Sequence, residues 1–527
     1  MLIASNDGIS NLDEERSEEF LVTGIHLNTS LFVGGKSMSV WGQFLKREDA
    51  SSYIDKDADM PRVLRTKDFL ALGVGTIVST SIFTLPGVVA AKYAGPAVVL
   101  SFLAAAVVAG FVALAYAEMS ATLPVAGSAY SWISVLFGEG FGWVAGWALL
   151  AEYFIAVAFV GSGLSANLRE LLSQVGLNLP AALSGAVDTH TLFGWSPNLS
   201  GPKGGVIDII AFIAIIVVAM LLSRGVQEAS RVEVVLVVLK TAAVLLFIFV
   251  GITAIEPKNY VPFIPAYNPG GTTMGGLQGV WAGVSGIFLA YIGFDSIASN
   301  SAEAIEPQKT MPRGILGSLA ICVVMFAGVS LVLVGMFKYS RYVNNAAPVG
   351  WALRESGHPL IAAIVSTVAV VGMFTALIGM MMAGSRLLYS FGRDGMLPLW
   401  LGRVNEKGLP NSGLIVLTVV SVLVGSLFPF SFLAELISAG TLIAFMFVSV
   451  AMYALRPREG KDLPTAGFKM PGYPVTPAIG FLLAFWVFWG LSIDAKIYAL
   501  VWFLLGLILY FVYGAKHSDT RRKQARK

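Results

Sequence analysis

GVGTIVSTSIFTLPG, residues 73–87, is apolar enough to lie inside a bilayer yet is cut by three consecutive hydroxyl residues, Ser79, Thr80 and Ser81. A helix over 68–90 puts that cut midway through the hydrocarbon, where unwound backbone survives only against protein or a water-filled cavity. A second stretch of the same character, GVSGIFLAYIGFDSIASNSAE at 283–303, brings Gly293, Asp295 and several serines to a comparable depth. One such helix alone reads as a surface of small residues made for close packing. Two of them, five spans apart, read instead as corresponding broken helices of two five-helix halves, the pattern of an inverted-repeat transporter.

The rest of the chain agrees with a membrane setting. It is 56% hydrophobic and only 13% charged, about half the charged fraction of a soluble domain, and its mean hydropathy is +0.75. The apolar stretches predict helices over 68–90, 95–119, 140–166, 206–223, 231–254, 276–300, 312–337, 359–391, 412–429, 431–455, 474–492 and 496–514. The eighth exceeds a bilayer's thickness, so its end near Arg386 is expected to protrude into water. With the N-terminus inside, twenty-one Lys and Arg flank the cytoplasmic side against eight on the other. Both termini are therefore expected in the cytoplasm, in a plasma membrane. Residues 1–61 form a cytoplasmic N-terminal segment, largely disordered, and the natural start is Met1 or Met38. Residues 62–514 are the transporter, with a first repeat over 68–254, a second over 276–455 and two further helices over 474–514. Residues 515–527 are a basic tail suited to anionic lipid headgroups. The single cysteine, Cys322, excludes a disulfide framework, four scattered histidines argue against a metal site, and no basic aromatic-interleaved face suggests nucleic acid. No cofactor is expected.

Seven motifs, in order, resemble the amino acid–polyamine–organocation superfamily, specifically bacterial members of its cationic amino acid transporter branch. They are GVGTIVSTSIFTLPG, EMSATLPVAGSAYSW (118–132), LLAEYFIAVA (149–158), GVQEASRVEVVLVVLK (225–240), AYIGFDSIASNSAEAIEPQKTMPRGI (290–315), RLLYSFGRDGMLP (386–398) and LAELISAGTLIAF (433–445). The resemblance covers about residues 62–514. It implies an all-α, polytopic membrane protein with a LeuT-like fold: twelve helices, of which 1–5 and 6–10 are inverted repeats, with helices 1 and 6 broken.

An amino acid entering such a site must replace the water around both its charged ends. Unpaired N–H groups at the start of a half-helix suit a carboxylate; by resemblance these belong to Ser79, Thr80, Ser81 and Ile82. Carbonyls near Ile77, and at Leu289, Ala290 and Ile292, would receive the ammonium. Relatives commonly have Gly-Thr-Gly where this chain has Ser79-Thr80-Ser81, so a tighter pocket floor or an added hydroxyl donor is expected.

Three ionisable residues lie within spans, where a charge costs about 2.5–3.5 kcal/mol even on the insertion scale. Glu152 is either the proton carrier, as the resemblance implies, or a neutral structural carboxyl. Lys240, nine residues into its expected helix and so about 13 Å deep, is too far in to snorkel to the surface. By resemblance its ammonium fills the place of a sodium ion beside the broken helix. Asp295 lines the pathway as a gate or caps the second half of helix 6. Glu233 stands where relatives often have asparagine, and its role is open between a solvated group and an inter-helix ion pair. Met373, Phe374 and Thr375 lie at the depth of a side-chain pocket. Glu118, Glu139, Glu435 and Asp494 fall at span ends and read as interfacial or structural.

Together these imply proton-coupled, sodium-independent amino acid transport, with a neutral branched-chain or small substrate favoured because Glu152 serves the proton. The alternatives are a cationic amino acid carrier, an amino acid/polyamine exchanger, or a non-transporting nutrient sensor. An enzyme would need a nucleophile–base pair or a metal cluster in its spans, and the sequence offers neither.

Overall fold

The computed structural model describes residues 42, 44–79, 81–174, 176–185, 205–343, 345, 347–427, 430–491 and 493–518. The expectations for residues 1–41, for Thr80 and for the tail beyond 518 lie outside the described residues. The described chain is a bundle of helices: α1 (Ala50–Lys56), α2 (Thr66–Ile77), α3 (Ser81–Val89), α4 (Val98–Thr122), α5 (Ala129–Leu136), α6 (Glu139–Gln174), α7 (Ile209–Arg224), α8 (Val226–Ile252) and α9 (Gly276–Tyr291). It continues with α10 (Phe294–Ser299), α11 (Pro307–Met336), α12 (Pro348–Glu355), α13 (Pro359–Arg393), α14 (Asn411–Leu427), α15 (Phe430–Leu455), α16 (Val475–Trp489) and α17 (Ile493–Leu509).

Seven continuous helical stretches among the described residues are long and apolar enough to cross a membrane unaided, and three more apolar helices are shorter. The remaining two spans are the broken ones, α2/α3 and α9/α10, which no test of continuous length can find. Lipid is the solvent for which the outside is built: Val217, Phe249, Val324, Ile415, Leu482 and Leu504 are all exposed. Such a belt of exposed apolar side chains belongs against hydrocarbon.

With the spans numbered 1 to 12, the principal packing pairs recur when five is added to each number. Span 2 packs on 7 (α4 on α11), 3 on 8 (α6 on α13) and 4 on 9 (α7 on α14). Span 1 packs on 7 as 6 packs on 2, and span 5 on 8 as 10 packs on 3. That is the relation two five-helix repeats produce. Spans 11 and 12 stay outside it. The last is pinned to span 3 by two indoles, Trp147 and Trp502, each donating to the other's carbonyl at 2.8 and 2.9 Å.

At one end, the chain before α2 runs beside the segment after α10: Leu64 donates to the Glu303 carbonyl at 3.0 Å and Ile305 to the Leu64 carbonyl at 2.8 Å. Nearby, α1 packs its buried Tyr53 beneath the Arg393 guanidinium, 4.3 Å from the ring centre. Arg386 does not protrude into water as expected. It is 3% exposed, because α13 continues to Arg393 and Glu303 meets its guanidinium at 2.7 Å.

Candidate functional site

The first span loses its helix at Val78, whose φ and ψ of −81° and 67° end α2, and regains it at Ser81. In between, Ser79 N–H turns back to the Ile77 carbonyl at 2.9 Å. The Ser81 hydroxyl donates to the same carbonyl at 3.2 Å and lies 3.4 Å from the Ser79 hydroxyl. Both lone pairs of the Ile77 oxygen, an expected receiver of a substrate ammonium, are thus engaged by the chain itself. Ser79 and Ser81 are 8% and 5% exposed and Ile77 and Ile82 fully buried, so the Ser-Thr-Ser variation leaves a closed, polar-edged floor.

The sixth span breaks at Gly293, with φ at 126°, a conformation that favours glycine. Ala290 is in the last turn of α9, with Leu289 beside it, and Ile292 lies in the break; Ala290 and Ile292 are buried. The Gly293 carbonyl accepts from Ser296 Oγ at 2.5 Å and lies 3.1 Å from Thr76 Oγ1. Thr76 is also 2.8 Å from the Leu72 carbonyl, so one hydroxyl proton is shared between the two half-helices. The breaks therefore meet, and Thr76, which the sequence reading passed over, is the residue that joins them. Its position one residue before the expected ammonium receiver, Ile77, is the signal that could have found it.

Lys240 reaches this junction from α8. Its ammonium donates to the Gly75 carbonyl at 3.0 Å and to Thr375 Oγ1 at 2.7 Å, while Thr375 itself lies 3.0 Å from the same carbonyl. α8 begins at Val226 rather than 231, which puts Lys240 fourteen residues in, about 21 Å at the helical rise. Snorkelling is thereby excluded. Thr375 belongs to this cation position and not to a side-chain pocket. Glu233 is 1% exposed, so the solvated alternative fails, and neither of its carboxyl oxygens has a hydrogen-bond partner.

Glu152 on α6 and Asp295 on α10 are both 0% exposed and act on one another. Asp295 is fully engaged: Oδ1 accepts from Gly293 N–H at 3.2 Å and Oδ2 from the Tyr153 hydroxyl at 2.7 Å. Through these two bonds it ties span 3 to the break. Tyr153 lies 2.9 Å from Ser299 Oγ as well. Glu152 differs. Neither of its carboxyl oxygens makes a hydrogen bond of ordinary geometry, and its neighbours are Asp295 and, from α15, Thr441.

At the α1 end, Glu118 accepts from Arg456 and from the Met470 N–H at 2.6 Å, while Glu139 accepts from Tyr510 at 3.3 Å, in keeping with the structural roles expected of both. Among the described residues no group of three His, Cys, Asp or Glu is placed to hold a metal ion.

Residues 64–515 match the family model described as "Amino acid permease". The chain is 61% identical to the branched-chain amino acid permease BcaP of Lactococcus lactis subsp. cremoris (strain MG1363), over 90% of this chain and 99% of that protein. It is 35% identical to the methylthioribose transporter of Bacillus subtilis (strain 168), over 88% and 95%. It is 31% identical to the vacuolar cationic amino acid transporter 4 of Arabidopsis thaliana, over 80% and 68%.

Proposed function

The chain belongs to the amino acid permease family, and from that membership we propose that it carries branched-chain amino acids across a cell membrane, driven by protons and independent of sodium. The observation that carries the substrate is the 61% identity to a branched-chain amino acid permease across nearly the whole of both chains. The geometry supports the rest. The breaks of the first and sixth spans meet through Thr76 and Gly293, so that N–H groups at the start of α3 receive the carboxylate and carbonyls of the α9 end receive the ammonium.

The Lys240 ammonium occupies the position beside the Gly75 carbonyl where a bound cation would otherwise sit, which removes the need for sodium. Glu152 carries the coupling proton: it is buried, without a hydrogen bond of ordinary geometry, and adjacent to Asp295 at the break of the sixth span. Protonating it lets the site close on substrate without a bare charge in the hydrocarbon. A cationic side chain would ask Glu152 to act as counter-ion instead, leaving no free acid beside the site for the proton. Both termini lie in the cytoplasm, and membrane lipids surround the belt.

Uptake into proteoliposomes tests this. Radiolabelled leucine, isoleucine, valine, arginine and methylthioribose are offered under an imposed proton or sodium gradient. The expected result is accumulation of the branched-chain substrates under the proton gradient alone. Accumulation driven by sodium, or preference for arginine or methylthioribose, overturns the assignment.

A further inference from the structure

Ser230, Glu233, Val237 and Lys240 recur on α8 at the spacing that lines them along one stripe of a helix, and all four are at most 8% exposed. At the stripe's first end, the Ser230 hydroxyl donates to Asp68 Oδ1 at 2.8 Å. The other Asp68 oxygen accepts the Arg65 N–H at 2.8 Å, at the start of α2 and hence near the α1 end. At its other end, Lys240 holds the Gly75 carbonyl two residues before the end of α2. Between them stands Glu233, buried, its two carboxyl oxygens without a hydrogen bond. Its Oε1 fills the space a Cβ on Gly75 would need, with Thr375 beside it.

We propose that Glu233 is the proton acceptor of Lys240 and the relay through which the coupling proton leaves toward the α1 end; this rests on the proton-driven reading above. The Lys240 N–H bond breaks, the proton crosses a bridging water, and a Glu233 O–H bond forms, leaving a neutral amine and a neutral acid. Glu233 then gives its proton to Asp68, with Ser230 or a bridging water between them, and Asp68 gives it to the solution. Lys240 is recharged from the substrate side, so each pass moves one proton. A neutral amine holds the Gly75 carbonyl more weakly than an ammonium does. Proton exit thereby loosens α2 from α8 and α13 at the moment the cytoplasmic half must open.

The surroundings isolate the pair. The charge acting on Glu233 is that of Lys240, and those acting on Lys240 are Glu233 and, from α11, Cys322. α2 offers Asp68 through Ser230, and α13 offers the hydroxyl of Thr375. The ionisable residues of α7 (Arg224) and α12 (Arg354 and Glu355) lie in the last turns of those helices and do not act on the pair.

The test compares the native sequence with Glu233→Gln and Glu233→Asp in proteoliposomes, reading accumulation under a one-unit pH gradient and exchange of labelled for unlabelled leucine at equal pH. One proton per substrate sustains about tenfold accumulation per pH unit. Glu233→Gln is expected to fall to about onefold while exchange persists, and Glu233→Asp to regain part of the accumulation. Native-like accumulation by Glu233→Gln overturns the relay. So does loss of exchange together with accumulation in a monodisperse Glu233→Gln protein, which marks Glu233 as structural. Absence of pH-driven accumulation by the native sequence overturns the underlying reading, and is distinguishable because it needs no variant.

Discussion

Two groups of buried ions occupy this molecule, one in mid-span and one at the α1 end, and they are built on opposite rules. At the α1 end, buried and part-buried charges meet opposite charges within 3.2 Å: Arg386 with Glu303, Arg393 with Asp57 and Asp394, Lys56 with Asp394, Arg456 with Glu118. In mid-span, Lys240 is held by a carbonyl and a hydroxyl instead of a carboxylate, Glu152 has another carboxyl, Asp295, and Thr441 beside it, and the Glu233 oxygens have no hydrogen-bond partner. A buried pair with both members present fixes geometry, and removing one member is costly because the other is stranded. A buried ionisable group whose partners are incomplete can change its charge without tearing a network, which is what a carrier of protons requires.

The largest expected effect sharpens that contrast from the mid-span side. Lys240 donates two charge-assisted hydrogen bonds, each contributing about 1.5–3 kcal/mol. Lys240→Ala is expected to cut leucine uptake about a hundredfold or more. Its thermal unfolding in detergent should fall by no more than the loss of those two bonds, because Glu233 can take up a proton once its counter-charge is gone. A variant that unfolds readily would place Lys240 with the structural ions and break the comparison.

Arg393→Ala makes the complementary experiment. It strands Asp57, 2.6 Å from the guanidinium, and leaves Asp394 with Lys56 as its cation, so a stability loss of about 3–5 kcal/mol is expected. The KM for leucine in the surviving folded protein should not change. A shifted KM with unchanged stability would mean that this end is a gate coupled to the substrate.

Acid sharpens the same point. Burial alone would raise the Asp394 carboxyl, but Arg393 and then Lys56 overcome it and hold the group at about 2. A carboxyl depressed on folding contributes stability above its ordinary value near 4, and that contribution is lost as pH falls through about 2. Thermal stability should therefore be flat from pH 7 to about pH 5 and decline below about 4. Asp394→Asn should be less stable at pH 7 but lose less on acidification, as differential scanning fluorimetry across pH would read.

How much of this was legible follows the same division. The spans, the two breaks and the depths of Glu152, Lys240 and Asp295 could be read because an apolar run and a charge within it are local signals. The short spans α7, α14 and α16 were readable as apolar runs although each is too short to satisfy a length criterion alone. Partners were not legible. Nothing near Arg386 in the chain announces Glu303, 83 residues away, so the end of α13 was expected in water. Thr76 looks like any helix threonine until Gly293 arrives from the other repeat, and Tyr153 until Asp295 does. Glu233 was visible as a departure from its relatives, but its isolation is a property of α2 and α13, which close over it.

The smallest effect concerns Ser79 and Ser81 at the break of the first span, and it tests whether completeness of partners also rules at the substrate floor. The sequence allowed the serine hydroxyls to serve a substrate carboxylate. In the structure, Ser81 spends its proton on the Ile77 carbonyl, at 3.2 Å, and Ser79 N–H donates to the same oxygen. Ser81→Ala removes one hydrogen bond of about 1 kcal/mol and frees a lone pair on Ile77 for the substrate ammonium. The two changes oppose one another, so the KM for leucine should fall, by no more than about threefold, with kcat nearly unchanged. A KM that rises about tenfold would mean that the hydroxyl turns from Ile77 to the carboxylate when substrate is present. The floor would then behave like the mid-span ions, with a partner exchanged during the cycle, and not like the closed pairs of the α1 end.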